Sequence, residues 1–314
     1  MKNLNQSSID FDFQQMRTIH QLKVNKRAVY YSLIDSNIGS TMELDGYISE
    51  ICLILSLHRD DLLIKASSKG LMFGGGIDSD LSEELLINQL QIPSLTDEQF
   101  YEKILPKLKA KVVLLVEKDT VFSRLTQQQY FIQNREHILL LTGKGYPDYA
   151  TKRFVKMLSQ IAHLPILYLG DADSFGADIY FQYAFGNQNS SVDQDDINCP
   201  LIQWIGPFMQ DFKDIKKQDL SEKDKLKIYS LLTKPYFKNY SEQECHSEIH
   251  KSILKNLQLY KGHLILMERE NKKFEIEALT VVQNELNLHE DHHMDENDAL
   301  TQLLTYYIDI FLNY

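Results

Sequence analysis

Apolar positions divide this chain into two textures. Over residues 13–36 they recur at helical spacing, with Leu22, Val24, Val29 and Leu33 among polar neighbours. A second helix is predicted over residues 45–58, with Ile48, Ile51, Leu55 and His58 on one face. Residues 61–75, DLLIKASSKGLMFGG, read as a short strand, a turn and another strand. Helix, helix, then a strand pair is the order of a winged-helix domain, an order that by itself specifies no function. Gly74-Gly75-Gly76 reads as a flexible loop, and the acidic, turn-rich residues 77–100 read as the connection to a second domain.

From residue 111 continuous apolar runs take over. VVLLVE (112–117) ends in a carboxylate, HILLLTGKG (137–145) in a glycine-flanked lysine, and LPILYLGDAD (164–173) in two aspartates. Helical segments separate them, DTVFSRLTQQQYFIQN and PDYATKRFVKMLSQIAH, and residues 174–186 give the next helix. Apolar runs alternating with helices predict a parallel sheet covered on both faces. After residue 187 the pattern weakens: CPLIQWIG suggests a strand, and KGHLILMERENKKFEIEAL fits helix or strand. No internal repeat is visible.

Composition changes this picture little. The chain is 43% hydrophobic and 25% charged, which supports cores of ordinary size and excludes global disorder. No apolar run approaches the roughly 18 residues of a membrane helix, and MKNLNQSSIDFDF lacks an apolar signal core, so secretion is not expected. Cys52, Cys199 and Cys245 are odd in number and far apart, and read as free thiols in a reducing compartment. The net charge of −11 opposes a nucleic-acid partner, yet it is uneven. Residues 101–163 hold eleven Lys/Arg against five Asp/Glu, and residues 1–31 five against two. Two readings fit: a basic footprint on an acidic protein, or two solvated helical segments.

Chemistry concentrates at the strand ends. Glu117, Asp171 and Asp173 each fall at or just past the carboxyl end of a predicted parallel strand, where open α/β sheets bind ligands. Three converging carboxylates repel one another unless a cation neutralises them. Oxygen donors in that number suit a hard ion, Mg²⁺ first. The bland alternative is helix capping, since Asp173 precedes a helix start. A second feature is Lys-Arg-x-x-Tyr-Tyr at 26–31. A phenol with its ordinary pKa of about 10 needs a nearby cation or base to act as a nucleophile. Arg27 lies one helical turn before Tyr31, so both can face one phosphate, and a guanidinium fork suits that group. Tyrosine pairs on helices also serve as partly buried core. Gly143-Lys144-Gly145 lacks the rest of a nucleotide P-loop. His246 and His250 lack a second Cys/His set, and HEDHHMDEND (289–298) reads as an acidic solvated loop.

In order along the chain these segments resemble the Spo-eleven family of meiotic DNA-break proteins, which is related to the A-type chain of topoisomerase VI. KRAVYY resembles the family's active-site tyrosine motif, and IKASSKGLMFG its Lys-Gly-Leu segment. VEKDTVFSRL, LLTGKGYPDYATKRFV and LPILYLGDADSFGADIYFQYAFG resemble its Toprim metal-binding core. The resemblance implies an α/β protein: a winged-helix (CAP-like) domain over 1–100, then a Toprim domain over 101–314 with a parallel Rossmann-like sheet and a C-terminal extension. It makes Tyr31 the nucleophile, Arg27 its helper, and Glu117, Asp171 and Asp173 the ligands of Mg²⁺, with Mn²⁺ as a substitute. Lys69, Tyr146 and Arg153 fall in segments the family uses near DNA. The implied reaction is a transesterification that cuts double-stranded DNA through a 5′-phosphotyrosyl link. A homodimer on DNA, accessory recombination proteins, a topoisomerase VI B-like subunit, and a nuclear location follow as expectations, with no membrane association. The rivals are the A-type subunit of an ATP-dependent topoisomerase, a silent DNA-binding scaffold, and a Toprim nuclease or primase-like enzyme. Ser174 departs from the family's usual proline, and Asn25 from a small hydroxyl residue.

Overall fold

Val112–Val116, Ile138–Thr142 and Ile166–Leu169 are buried along their whole length, so each must be covered on both faces. The computed structural model, which describes residues 24–33, 39–55, 62, 64–65, 68–77, 89–186, 197–212, 215–239, 247–280 and 299–312, does this with one six-stranded sheet. In chain order the elements are β1 (Val24–Asn25), α1 (Lys26–Ser32), α2 (Thr41–Leu55), β2 (Ile64–Lys65), β3 (Leu71–Gly74), β4 (Leu90–Gln91) and α3 (Asp97–Lys103). There follow β5 (Val112–Val116), α4 (Asp119–Leu125), α5 (Gln129–Gln133), β6 (Ile138–Thr142), α6 (Tyr149–Gln160), β7 (Ile166–Leu169), α7 (Ser174–Ala184) and β8 (Gln203–Gly206). The remainder comprises β9 (Gln218–Asp219), α8 (Glu222–Leu232), α9 (Tyr236–Asn239), α10 (Glu248–Glu270), β10 (Lys272–Lys273) and α11 (Ala299–Leu312).

The sheet order is β4-β3-β6-β5-β7-β8. Strands β6, β5, β7 and β8 run parallel, while β3 and β4 join antiparallel at one edge. The chain leaves β5 toward β6, then crosses back over β5 to reach β7. Successive connections therefore depart in opposite directions between β5 and β7, and a crevice opens beyond their carboxyl ends. Every residue of β5 and β7 is buried, so the rim of that crevice rests on rigid strands.

Several expectations need correction. Within residues 13–36 the described helix is only Lys26–Ser32, because Val24 and Asn25 pair in parallel with Ile64 and Lys65; residues 1–23 lie outside the described residues. The buried stripe of α2 is Leu44, Ile48 and Cys52, whereas Ile51 and Leu55 are exposed. The run ICLIL fits several stripes at helical spacing, and packing by Val29, Tyr30, Leu33, Leu62 and Ile64 selects this one. The two strands within 61–75 do not pair with each other: β2 joins β1, and β3 joins the large sheet. Gly74-Gly75-Gly76 is an ordered left-handed turn at φ 80°, 73° and 78°, with the Gly75 amide donating to Arg135 and Ile138 carbonyls at 2.7 and 3.0 Å. The connection 77–100 contains β4 and the start of α3, which opens with a Thr96/Gln99 capping box. DTVFSRLTQQQYFIQN folds as two helices. The expected C-terminal strand at CPLIQWIG is β8, and the ambiguous KGHLILMERE segment is helix, the second half of α10. Cys52 and Cys199 are free and buried, while Cys245, His246 and residues 289–298 lie outside the described residues. No described helix is long and apolar enough to cross a membrane.

His263 of α10 sits in the core beneath β8. Its ring stacks on Phe208 at 3.8 Å and 2°, and its Nε2 finds no hydrogen-bond partner among the described residues. Burial pushes its pKa down to about 4, against about 6.5 in an unfolded chain. The unfolded state thus binds more protons between those values. This contribution to stability is complete above pH 6.5 and declines as pH falls toward 4. Replacing His263 with Phe should keep the stack and remove that decline, shifting urea stability at pH 5 relative to pH 7 by on the order of 1–2 kcal/mol against wild type. Parallel pH profiles for the two proteins would show that His263 is not the titrating group.

Candidate active site

The register of the sheet builds the site. Val116 and Leu169 are partners in β5 and β7, and the Glu117 amide donates to the Leu169 carbonyl at 2.9 Å. Glu117 therefore leaves the sheet beside Gly170 and Asp171. The Asp171 amide donates to Glu117 Oε2 at 2.8 Å, which locks the two acids together. Behind them, buried Tyr168 donates its hydroxyl to the Gly176 carbonyl at 3.0 Å. Gly176 is required here: a β-carbon would fall inside contact distance of Asp171 backbone and 3.0 Å from Glu117 Oε2. The loop after β6 closes the other side, where the Gly145 amide donates to the Glu117 carbonyl at 2.9 Å. Lys144 and Gly145 turn that corner at φ 54° and 80°.

Asp173 performs the capping role that the sequence left open. Its Oδ1 accepts the Phe175 and Gly176 amides at 2.9 and 2.7 Å and starts α7. Asp171 Oδ1 accepts the Ile276 amide at 2.9 Å, and its Oδ2 meets the Lys118 ammonium at 2.9 Å. Burial holds the carboxyls of Glu117, Asp171 and Asp173 above their ordinary range. For Glu117 the Asp171 charge adds to this; for Asp171 the Ile276 amide and Lys118 act against it. Three carboxylates thus share one strand-end crevice. They are not already drawn together: among the described residues no group of three or more His, Cys, Asp or Glu side chains is arranged to hold a metal. Each acid is engaged separately: Glu117 by the Asp171 amide, Asp171 by the Ile276 amide and Lys118, and Asp173 by the Phe175 and Gly176 amides.

The donor chemistry nonetheless fits a divalent ion. All three groups offer hard carboxylate oxygens, and all three are destabilised as anions by burial, a cost that a cation relieves.

The residues expected near DNA spread around this edge. The Lys69 amide donates to Asp148 Oδ2 at 2.8 Å, and its ammonium reaches the Lys144 carbonyl at 3.3 Å. Tyr146, exposed at the same loop, donates to Asp178 Oδ2 at 2.6 Å, and Lys227 pairs with that carboxylate at 2.9 Å. Burial and then Asp178 hold the Tyr146 phenol protonated. Arg153 bonds Asp97 of α3 at 3.1 Å with little of its side chain exposed, which ties α6 to α3.

Arg27 and Tyr31 both stand on α1, one turn apart, and both are exposed. The tyrosine pair divides its labour. Tyr30 packs against the small core of Leu44, Ile48 and Cys52, while Tyr31 keeps 66% of its surface. Their rings meet edge to face at 5.6 Å and 60°. Lys26 fixes the helix to α2 through Asp45 at 2.6 Å.

Sequence reasoning missed Lys118, Glu275 and Glu277. Lys118 bonds Asp171, Glu275 and Glu277 at 2.9, 3.1 and 2.7 Å. Its position next to Glu117 was a usable signal; the two glutamates, more than 150 residues away, left none.

A family model for the Toprim domain of the topoisomerase 6 A subunit and Spo11 matches residues 112–291. The chain is similar to the meiotic recombination protein SPO11-1 of Oryza sativa subsp. japonica, at 30% identity over 82% of this chain and 64% of the relative. It is similar to the meiotic recombination protein SPO11 of Mus musculus, at 29% over 83% of this chain and 62% of the relative. The A subunit of DNA topoisomerase 6 from Arabidopsis thaliana is 28% identical over 84% of this chain and 58% of that protein. The chain spans less than two thirds of the length of each of these relatives.

Proposed function

This chain belongs to the family that unites Spo11 with the topoisomerase 6 A subunit, and on that premise we propose that it makes double-strand breaks in DNA by transesterification, to start meiotic recombination. The observation that carries the reading is the interlocked pair Glu117 and Asp171 at the crevice between β5 and β7. In the proposal the Tyr31 oxygen bonds to a backbone phosphorus, the bond to the deoxyribose 3′ oxygen breaks, and that oxygen takes up a proton as the phenol loses one. The product is a 5′-phosphotyrosyl link and a free 3′ hydroxyl. Arg27 steers the phosphate toward Tyr31 with its guanidinium fork. Glu117, Asp171 and Asp173 would hold Mg²⁺ or Mn²⁺. When bound, the ion supplies Lewis-acid polarisation of the phosphate and of the departing oxygen.

Residues 1–100 act as a winged-helix module that presents Tyr31, with β3 and β4 of that span seated in the sheet of the module over 101–314. Lys69 and Tyr146, exposed beside the crevice, and Arg153, through its hold on α6, serve DNA binding. The protein works as a homodimer on double-stranded DNA in the nucleus, with accessory recombination proteins and a topoisomerase VI B-like subunit. Similarity over 84% of this chain to one component of a topoisomerase named by its subunits supports such a partner. The polarity of the adduct tests the reading. Protein incubated with end-labelled duplex, Mn²⁺ and its partners should be recovered, after denaturation, attached to 5′ ends. Attachment to 3′ ends, or cleavage without attachment, would overturn it.

A further inference from the structure

Residues 272–277 form a strap across the acid crevice. The Phe274 amide donates to the Ala172 carbonyl at 3.2 Å, and the Ile276 amide to Asp171 Oδ1 at 2.9 Å. Lys273 meets buried Asp224 at 2.9 Å, and Asp224 also accepts the Ser174 hydroxyl at 2.9 Å. Serine at the first position of α7 therefore does what proline cannot: its hydroxyl joins α7 to the network that seats the strap. The strap delivers Glu275 and Glu277 to Lys118, which also meets Asp171.

Lys118 is then a single cation shared by three carboxylates, and only one of the three belongs to the set that would hold the divalent ion. An ammonium at 2.9 Å from Asp171 Oδ2 occupies an approach that such an ion needs, and it repels the ion as a like charge. The two strap glutamates give the ammonium somewhere to remain when Asp171 is taken. Their hydrogen bonds, with those to Asp171, outweigh burial and hold the Lys118 pKa above the ordinary lysine range.

We propose that Lys118 is the resident counter-charge of the acid crevice, which yields Asp171 to an incoming divalent ion and withdraws onto Glu275 and Glu277. This rests on the reading that Glu117, Asp171 and Asp173 hold that ion. Lys118 thereby sets the metal affinity, and the strap sets the ease with which Lys118 gives way.

Calorimetric titration of the intact chain with Mn²⁺ tests this, with thermal melting as a check on folding. Lys118→Met should bind Mn²⁺ about tenfold more tightly than wild type, because the competing charge is gone. Lys144→Met removes the same charge from the sheet edge, where its partner is Asp119, and should change affinity less than about twofold. Glu275→Gln combined with Glu277→Gln leaves Lys118 intact but removes its retreat, and should weaken binding about threefold. Unchanged or weaker binding in folded Lys118→Met, an equal gain in Lys144→Met, or unchanged or tighter binding in the double variant would each overturn the proposal. Asp171→Asn separates the two levels. If it abolishes Mn²⁺ binding while Lys118→Met gives no gain, only the role of Lys118 fails. If Asp171→Asn leaves binding intact, or wild type binds no Mn²⁺, the metal reading falls and this inference with it.

Discussion

Tyr31→Phe should abolish the covalent protein–DNA adduct while leaving fold, DNA affinity and Mn²⁺ affinity unchanged. The substitution removes one oxygen, and that oxygen is the proposed nucleophile, so no residual route to a phosphotyrosyl link remains. Loss of at least about 10³-fold is expected, the scale on which deleting a covalent nucleophile acts in other enzymes. Stability should hold because Tyr31 keeps 66% of its surface and belongs to no core cluster. Exposed substitutions of this kind stay within about 0.5 kcal/mol. Tyr30→Phe is the matched control: its ring packs on Leu44, Ile48 and Cys52 and survives the change, so adduct yield should persist. Arg27→Ala should lower yield without eliminating it, since it would remove a phosphate contact and leave the nucleophile. The readout is label retained with protein after denaturation and nuclease digestion. An adduct of normal yield in Tyr31→Phe, or its loss in Tyr30→Phe, would transfer the nucleophile to another residue.

What the sequence revealed and what it hid follow one physical divide. Strands β5, β6 and β7 were legible because burial on both faces demands unbroken apolar runs. Glu117 and Asp171 were legible because a charge that ends such a run must sit at the sheet's edge. Tyr31 was marked by a local motif, and it stands exposed beside half-buried Tyr30. The hidden part was non-local. Nothing near Glu275 or Glu277 announces that they face Lys118, because that contact arises only after α10 turns back through Asn271 at φ 54° and β10 pairs with β9. Nor did periodicity choose among the apolar stripes of α2. Which stripe is buried depends on what packs against it, and α1 with residues 62 and 64 makes that choice. The strand β3 was misassigned to a local pair for the same reason: four residues, LMFG, carry no information about which partner they join.

The proposed nucleophile and the acids lie on different parts of this fold. Tyr31 projects from α1, whose packing partners form a small core of their own, while Glu117 and Asp171 stand at the edge of the large sheet. That separation leaves room for a site shared between two protomers, and the test of sharing comes from mixing two dead variants. Tyr31→Phe and Glu117→Gln, each inactive alone, should form mixed dimers that nick one strand and carry one tyrosyl adduct. In such a dimer the Tyr31→Phe protomer still offers Glu117, and the Glu117→Gln protomer still offers Tyr31. If each tyrosine works over its partner's acids, one site lacks both groups and the other is whole. If each tyrosine works over its own acids, both sites lack one group and no adduct forms. Gln at position 117 retains a carbonyl oxygen able to accept the Asp171 amide, so the lock between β5 and β7 should survive and the loss should be confined to charge. Differently sized tags on the two variants identify the mixed dimer and show which chain carries the DNA; the adduct should appear only on the Glu117→Gln chain. Verified mixed dimers that bind DNA normally and still take up Mn²⁺ at the intact acids of the Tyr31→Phe protomer, yet give no adduct under conditions where wild type cuts both strands, would establish that each protomer completes its own site.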